Sequence, residues 1–178
     1  MHKLHKYCKK HCDKVQPSKT TESVYYHFGD TEIRVSNRTL DYGQGFYVTS
    51  SYEQAEAWVK RRMDEKKMTR GYVCVYELNE TLINELNTLI FESPTEEWVD
   101  FVMKNRTQKG YVHDYDIVFG PVANDRVYAA FALYEGGLIN KQALIAELKA
   151  YKLIDQYLFH TEQALNALNF IEAKEIVL

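Results

Sequence analysis

The chain reads as an α+β protein, on three observations. Short runs of β-branched and aromatic residues, each bounded at one end by glycine, read as strands: SVYYHFGD, GFYVTS, GYVCVYELN and YDIVFG. Between them lie segments with helix-start chemistry, a serine or asparagine cap followed by apolar residues at helical spacing. The two kinds of segment do not alternate as regular β–α–β units, which argues against a wound parallel sheet.

Residues 1–20 are polar and lysine-rich and close on Gln16-Pro17-Ser18, so they read as an appendage to a single domain over 21–178. The first strand carries His27 and ends at Gly29-Asp30. A short apolar stretch, Ile33 to Val35, and the polar loop SNRTLDYGQG lead to the strand GFYVTS. Ser50 with Glu53, or Ser51 with Gln54, then has capping-box spacing, and Tyr52, Ala55, Trp58, Val59 and Met63 form the apolar stripe of the helix that follows.

GYVCVYELN alternates as a strand does. In LFESPTEEWVDFVMKNR the spacing predicts Ser93 as cap, Pro94 as the first helical residue, and Trp98, Phe101 and Val102 as the buried stripe. YDIVFG is a buried strand, and Asn124-Asp125 starts a helix that stops at Gly136-Gly137. A helix over 140–151 from an Asn140 cap, a strand QYLFH, a capped helix TEQALNALNF and a last strand EAKEIVL complete the chain.

A net charge of −3 argues against a protein built to sit on nucleic-acid phosphates. No apolar run approaches the roughly 20 residues of a membrane span. The basic N-terminus lacks a signal peptide's apolar stretch, and three cysteines, Cys8, Cys12 and Cys74, fit a reducing compartment, so the expected location is the cytoplasm. His2, His5, Cys8, His11 and Cys12 recur at three- and four-residue spacings, but paired CxxC spacing is absent and lysines intervene, so no metal site is assigned. Neither a Ser-His-Asp pattern nor a P-loop stands out.

Five stretches carry a family resemblance: YHFGD, LDYGQGFYVTSSYEQAEAW, EEWVDFVMKNR, DYDIVFGPVANDRVY and QYLFHTEQALNALNF. They resemble a small bacterial family of unknown function that is itself similar to ADP-ribosyltransferases of the His-Tyr-[Glu/Asp/Gln] type. The resemblance implies a split β-sheet with flanking helices and NAD as substrate. It assigns His27 to the adenosine-side ribose and the backbone near Gly29 to the nicotinamide amide, where a residue without a side chain permits close approach. Tyr47, after Gly43-Gln44-Gly45-Phe46, would stack on nicotinamide, with Ser50 or Ser51 near its ribose. For at least one of these serines, helix capping is the competing role.

The third position falls on Gln156, with Asp155 as the one-residue register alternative, because a slip of one turns a side chain to the other sheet face. Active transferases carry a glutamate there. Glutamine still bonds a ribose hydroxyl, at about 0.5–1.5 kcal/mol against about 1.5–3 for a charged partner. It offers no charge to an oxocarbenium-like centre and no general base.

The resemblance thus implies mono-ADP-ribosyl transfer to a macromolecule, slow NAD hydrolysis, or NAD binding and protein interaction without catalysis. It also implies a protein acceptor or a neutralising partner protein, as for toxin-like modules. Outside this set, Asp116, Asn124, Asp125 and Arg126 are candidates for a pocket wall or for turn and cap chemistry. Asn105-Arg106 are candidates for NAD phosphates or for last-turn carbonyls.

Overall fold

Seven strands hydrogen-bond in the order β4-β5-β6-β2-β1-β3-β7, with only β4 and β5 parallel among the paired neighbours. They are β1 (Val24–His27), β2 (Phe46–Thr49), β3 (Arg70–Leu78), β4 (Thr88–Ile90), β5 (Ile117–Pro121), β6 (Asp155–Phe159) and β7 (Leu168–Val177). Among the described residues the helices are α1 (Tyr52–Lys66), α2 (Glu80–Asn84), α3 (Glu96–Thr107), α4 (Asp125–Glu135), α5 (Lys141–Lys149) and α6 (Glu162–Leu165). The computed structural model of the chain describes residues 24–27, 40–121, 125–150 and 153–178. The expected appendage over 1–20, Gly29, the Ile33–Val35 stretch and Asn124 lie outside the described residues.

The α+β class follows from how these elements bury their apolar faces. On one sheet face, Val118 of β5 and Leu158 of β6 pack with Trp98 and Phe101 of α3, Val127 and Phe131 of α4, and Leu144 and Leu148 of α5. On the β3–β7 half, Ala55, Val59 and Met63 of α1 pack on Val73 and Ile176. Gly71 lets this helix come close, since a Cβ there would meet Val59 and Met63. The opposite face holds Phe46, Val48, Cys74, Tyr76, Ile117 and Phe159, with Ala164 of α6 and the partly buried Leu82 and Ile83 of α2. The strand order is continuous, yet β1 and β2 share one registered pair, Tyr26 with Thr49, where β3 and β7 run side by side from Arg70 to Leu78.

Several boundaries depart from the sequence expectation. Of the two expected serines it is Ser51 that caps α1, its hydroxyl accepting from the Gln54 N–H at 3.2 Å. Trp58 lies off the buried stripe at 49% exposure, its ring covered by the Arg61 guanidinium 5.4 Å from the centroid. The cap of α3 is Thr95 rather than Ser93, accepting from the Trp98 N–H at 3.3 Å. Thr95→Ala should therefore cost about 1 kcal/mol in urea unfolding, and Ser93→Ala under about 0.5; equal losses would return the cap to Ser93.

The expected TEQALNALNF helix stops at Leu165, because β3 recruits Leu168 onward as a strand. Tertiary pairing overrides local propensity there. β7 carries a bulge: Val75 pairs with Glu172 and Tyr76 with Phe170, leaving Ile171 between them at 53% exposure. The short elements α2 and β4 were not expected from sequence.

Candidate functional site

The three central strands, β6, β2 and β1, carry Gln156, Tyr47 and His27 respectively. Directly opposed residues of paired strands share a face. Tyr47 opposes Leu158, and Gln156 opposes both Thr49 and Gly120, so Tyr47, Thr49, Leu158 and Gln156 form one row set. Asp155 opposes Pro121 and alternates onto the other face with Tyr157 and Phe159. His27 ends β1 opposite Cys74, a residue of that other face. Register thus brings Tyr47 and Gln156 onto one face and sets His27, on a neighbouring strand, opposite a residue of the other face.

The Tyr47 row lies where the two helix groups meet. Tyr47 packs against the core beneath α3–α5, and α1 begins two residues beyond Thr49. Thr49 is nearly buried, and its hydroxyl ties three elements together. It donates to the Asp155 carbonyl (3.1 Å) and lies 2.5 Å from Gln54 Oε1, while accepting from the Ser51 N–H (3.1 Å). Ser50 is exposed at the end of this strand.

Gln156 is half-buried beneath a polar network centred on Tyr42. The Tyr42 side chain is fully buried; its hydroxyl donates to the Pro121 carbonyl (2.7 Å) and accepts from Trp98 Nε1–H (2.8 Å). Burial pushes its pKa well above the usual phenol range, and the Trp98 and Gln156 side chains partly oppose that rise. Gly120 makes room for this hydroxyl: a Cβ there would sit 2.6 Å from it. Sequence reasoning passed over Tyr42 and Trp98 as site residues because their meeting spans 56 positions.

The loop before Tyr47 is equally built. Gly43 and Gly45 take φ of +90° and +154°, a region that only glycine enters without strain. Tyr47's hydroxyl donates to the Gly43 carbonyl (2.6 Å) and accepts from the Tyr42 N–H (3.2 Å). With its hydroxyl so engaged, the partly buried side chain is fixed against the core. His113, buried, donates from Nε2 to the Tyr42 carbonyl (2.8 Å), and His160 donates from Nδ1 to the Gln44 carbonyl (2.6 Å).

The remaining candidates take structural partners. Asp116 accepts from the Thr161 hydroxyl (2.7 Å) and the Asn87 N–H (3.1 Å), which fixes the start of α6. Asn105 donates back to the Phe101 carbonyl four residues earlier in the same helix (2.9 Å), not to a carbonyl of the last turn. Arg106 lies 3.9 Å from Asp41 and 3.7 Å from Glu135, over the Phe131 ring. Asp125 and Arg126 fall in the first turn of α4. Burial raises the Asp155 carboxyl above its usual range.

Among the described residues no group of three or more His, Cys, Asp or Glu side chains could hold a metal, and no helix is long and apolar enough to cross a membrane. No curated protein and no solved structure matches the chain. A model of a family described as "Protein of unknown function (DUF3990)" matches residues 23–170, from just before β1 into β7, so both strands of the Tyr47–Gln156 row fall within the match. The chain belongs to this DUF3990 family.

Proposed function

We propose that the protein binds NAD in the manner of an ADP-ribosyltransferase and cleaves its nicotinamide–ribose bond, transferring ADP-ribose to a macromolecule or, slowly, to water. One observation carries the reading: β6, β2 and β1 are adjacent at the sheet centre, with Gln156 and Tyr47 in one face's rows. Tyr47 would stack its ring on nicotinamide, and the Gln156 amide would bond the ribose 2′-hydroxyl. His27, at the end of β1, would meet the adenosine-side ribose, with Gly29 beyond it and Ser50 at the end of β2.

A second reading, an NAD-binding or protein-interaction module without catalysis, is favoured by the amide at 156 and its proximity to the Tyr42 hydroxyl. That hydroxyl competes for the group the ribose needs. A protein acceptor belongs to the first reading, and a neutralising partner fits either.

Calorimetric titration tests them: no heat of NAD binding at millimolar concentration would end the transferase reading and the NAD-binding form of the second, leaving protein interaction alone. If NAD binds, Tyr47→Ala should weaken it about fivefold to tenfold, the value of one aromatic stacking contact. Gln156→Glu should raise nicotinamide release at least about tenfold by supplying charge to the cationic centre. An unchanged rate in a variant with an unaltered melting curve would assign the protein to the second reading.

A further inference from the structure

Three consecutive carbonyls of the turn before β2 are each held by a different ring. Tyr42's accepts from His113, Gly43's from Tyr47, and Gln44's from His160, at 2.8, 2.6 and 2.6 Å. The two histidines come from separate places, one ahead of β5 and one just after β6, and their rings lie 4.5 Å apart. Asn105 of α3 closes the far side, its Oδ1 only 2.9 Å from where a Gly43 Cβ would be.

We infer that His113 and His160 are positioning residues for Tyr47, and that protonation of the buried His113 loosens the turn, and with it the tyrosine ring. The ligand side of this inference rests on the NAD reading above; the clamp itself does not.

The chemistry follows from the tautomer each partner demands. His113 must carry its proton on Nε2 to donate to a carbonyl, and its Nδ1 accepts from the Tyr115 N–H at 3.3 Å. A second proton would leave the Nε2–H bond to the carbonyl in place, but on Nδ1 it would face that N–H, donor against donor, on a ring buried from water. The charged groups around the pair are Asp114 and Asp116 on the segment of His113, Asp41 on the turn, and Arg106 on α3 beside Asp41.

Burial holds the His113 pKa below the usual histidine value against the opposing pull of its bond to the Tyr42 carbonyl, with a smaller lowering from His160. The folded clamp therefore binds a proton less readily than the open chain. Its contribution to stability is complete above about pH 6.5 and falls as pH drops through that value toward the lower folded pKa.

The test reads the turn directly, by hydrogen exchange of the Gly43 amide, which donates to the Leu40 carbonyl within the turn. In the wild type its protection factor should fall about tenfold from pH 7.5 to 5.5, the value of one ordinary hydrogen bond. His113→Gln with His160→Asn keeps an N–H donor near each ring-nitrogen position and cannot take a proton, so it should retain protection and flatten the pH dependence. His160→Ala, at a partly exposed site, should lower protection at both pH values even where changes at His113 prevent folding. A pH-independent wild-type protection factor would overturn the clamp, as would an unaltered one in His160→Ala. If wild type binds NAD, its affinity should fall over the same pH range, and the Gln/Asn variant's should not. A wild type that binds no NAD ends the ligand reading alone, because the amide readout requires no ligand.

Discussion

Gly45→Ala is expected to destabilise the fold by about 3 kcal/mol or more, from strain at positive φ added to overpacking. Gly45 sits at φ +154°, and a Cβ there would fall on Leu158 Cδ1 and the Phe159 carbonyl, with His160 Cα 3.2 Å away. Two of those three contacts are backbone of the segment that pairs with β2, so relief requires moving a central strand rather than rotating a side chain. Gly110→Ala provides the control. Gly110 also has positive φ, +78°, but nothing lies within 4 Å of its added Cβ. Its cost should stay near the 1–2 kcal/mol of backbone strain alone. Urea unfolding of both variants checks this. Equal losses would mean that β6 yields to the methyl, and that the close approach of the turn to β6 is not tight.

Trp98→Ala is expected to cost about 3–5 kcal/mol, the range for deleting a fully buried large aromatic. Trp98 has no exposed surface, packs its ring 5.7 Å from Phe131, and donates to the Tyr42 hydroxyl. Its loss opens a cavity under α3 and α4 and removes one bond of a buried hydroxyl that also reaches Pro121. The change should propagate to Gln156 through Tyr42, so NAD affinity, where present, should fall in any sample that still folds. Urea unfolding reads the first effect; a loss under about 2 kcal/mol would show that the helices collapse onto the gap.

These expectations draw on residues of unequal legibility in the chain. The Ser51 cap of α1, the Asn140 cap of α5 and the strand β3 could be read locally, because each depends on residues within a few positions of one another. The glycines of the turn announced a tight backbone in the same way. Local reading failed where distant partners decide. Ser93 and Thr95 both have capping chemistry, and the packing of Trp98 and Val99 chose between them. The ALNF end of the predicted last helix became strand because β3 offered it a ladder.

The site divides along the same line. The sequence by itself determined the class of element that carries Tyr47 and Gln156, the glycine turn before one, and the choice between two carboxamide or carboxylate neighbours as a matter of parity. Which of Gln156 and Asp155 shares a face with Tyr47 was decided by register against β2 and β5, a long-range property. The Tyr42–Trp98 bond and the two histidines on the turn's carbonyls were decided by tertiary structure alone. Each joins segments between 56 and 116 positions apart. A hydrogen bond specifies its partner only once the fold has buried it away from water.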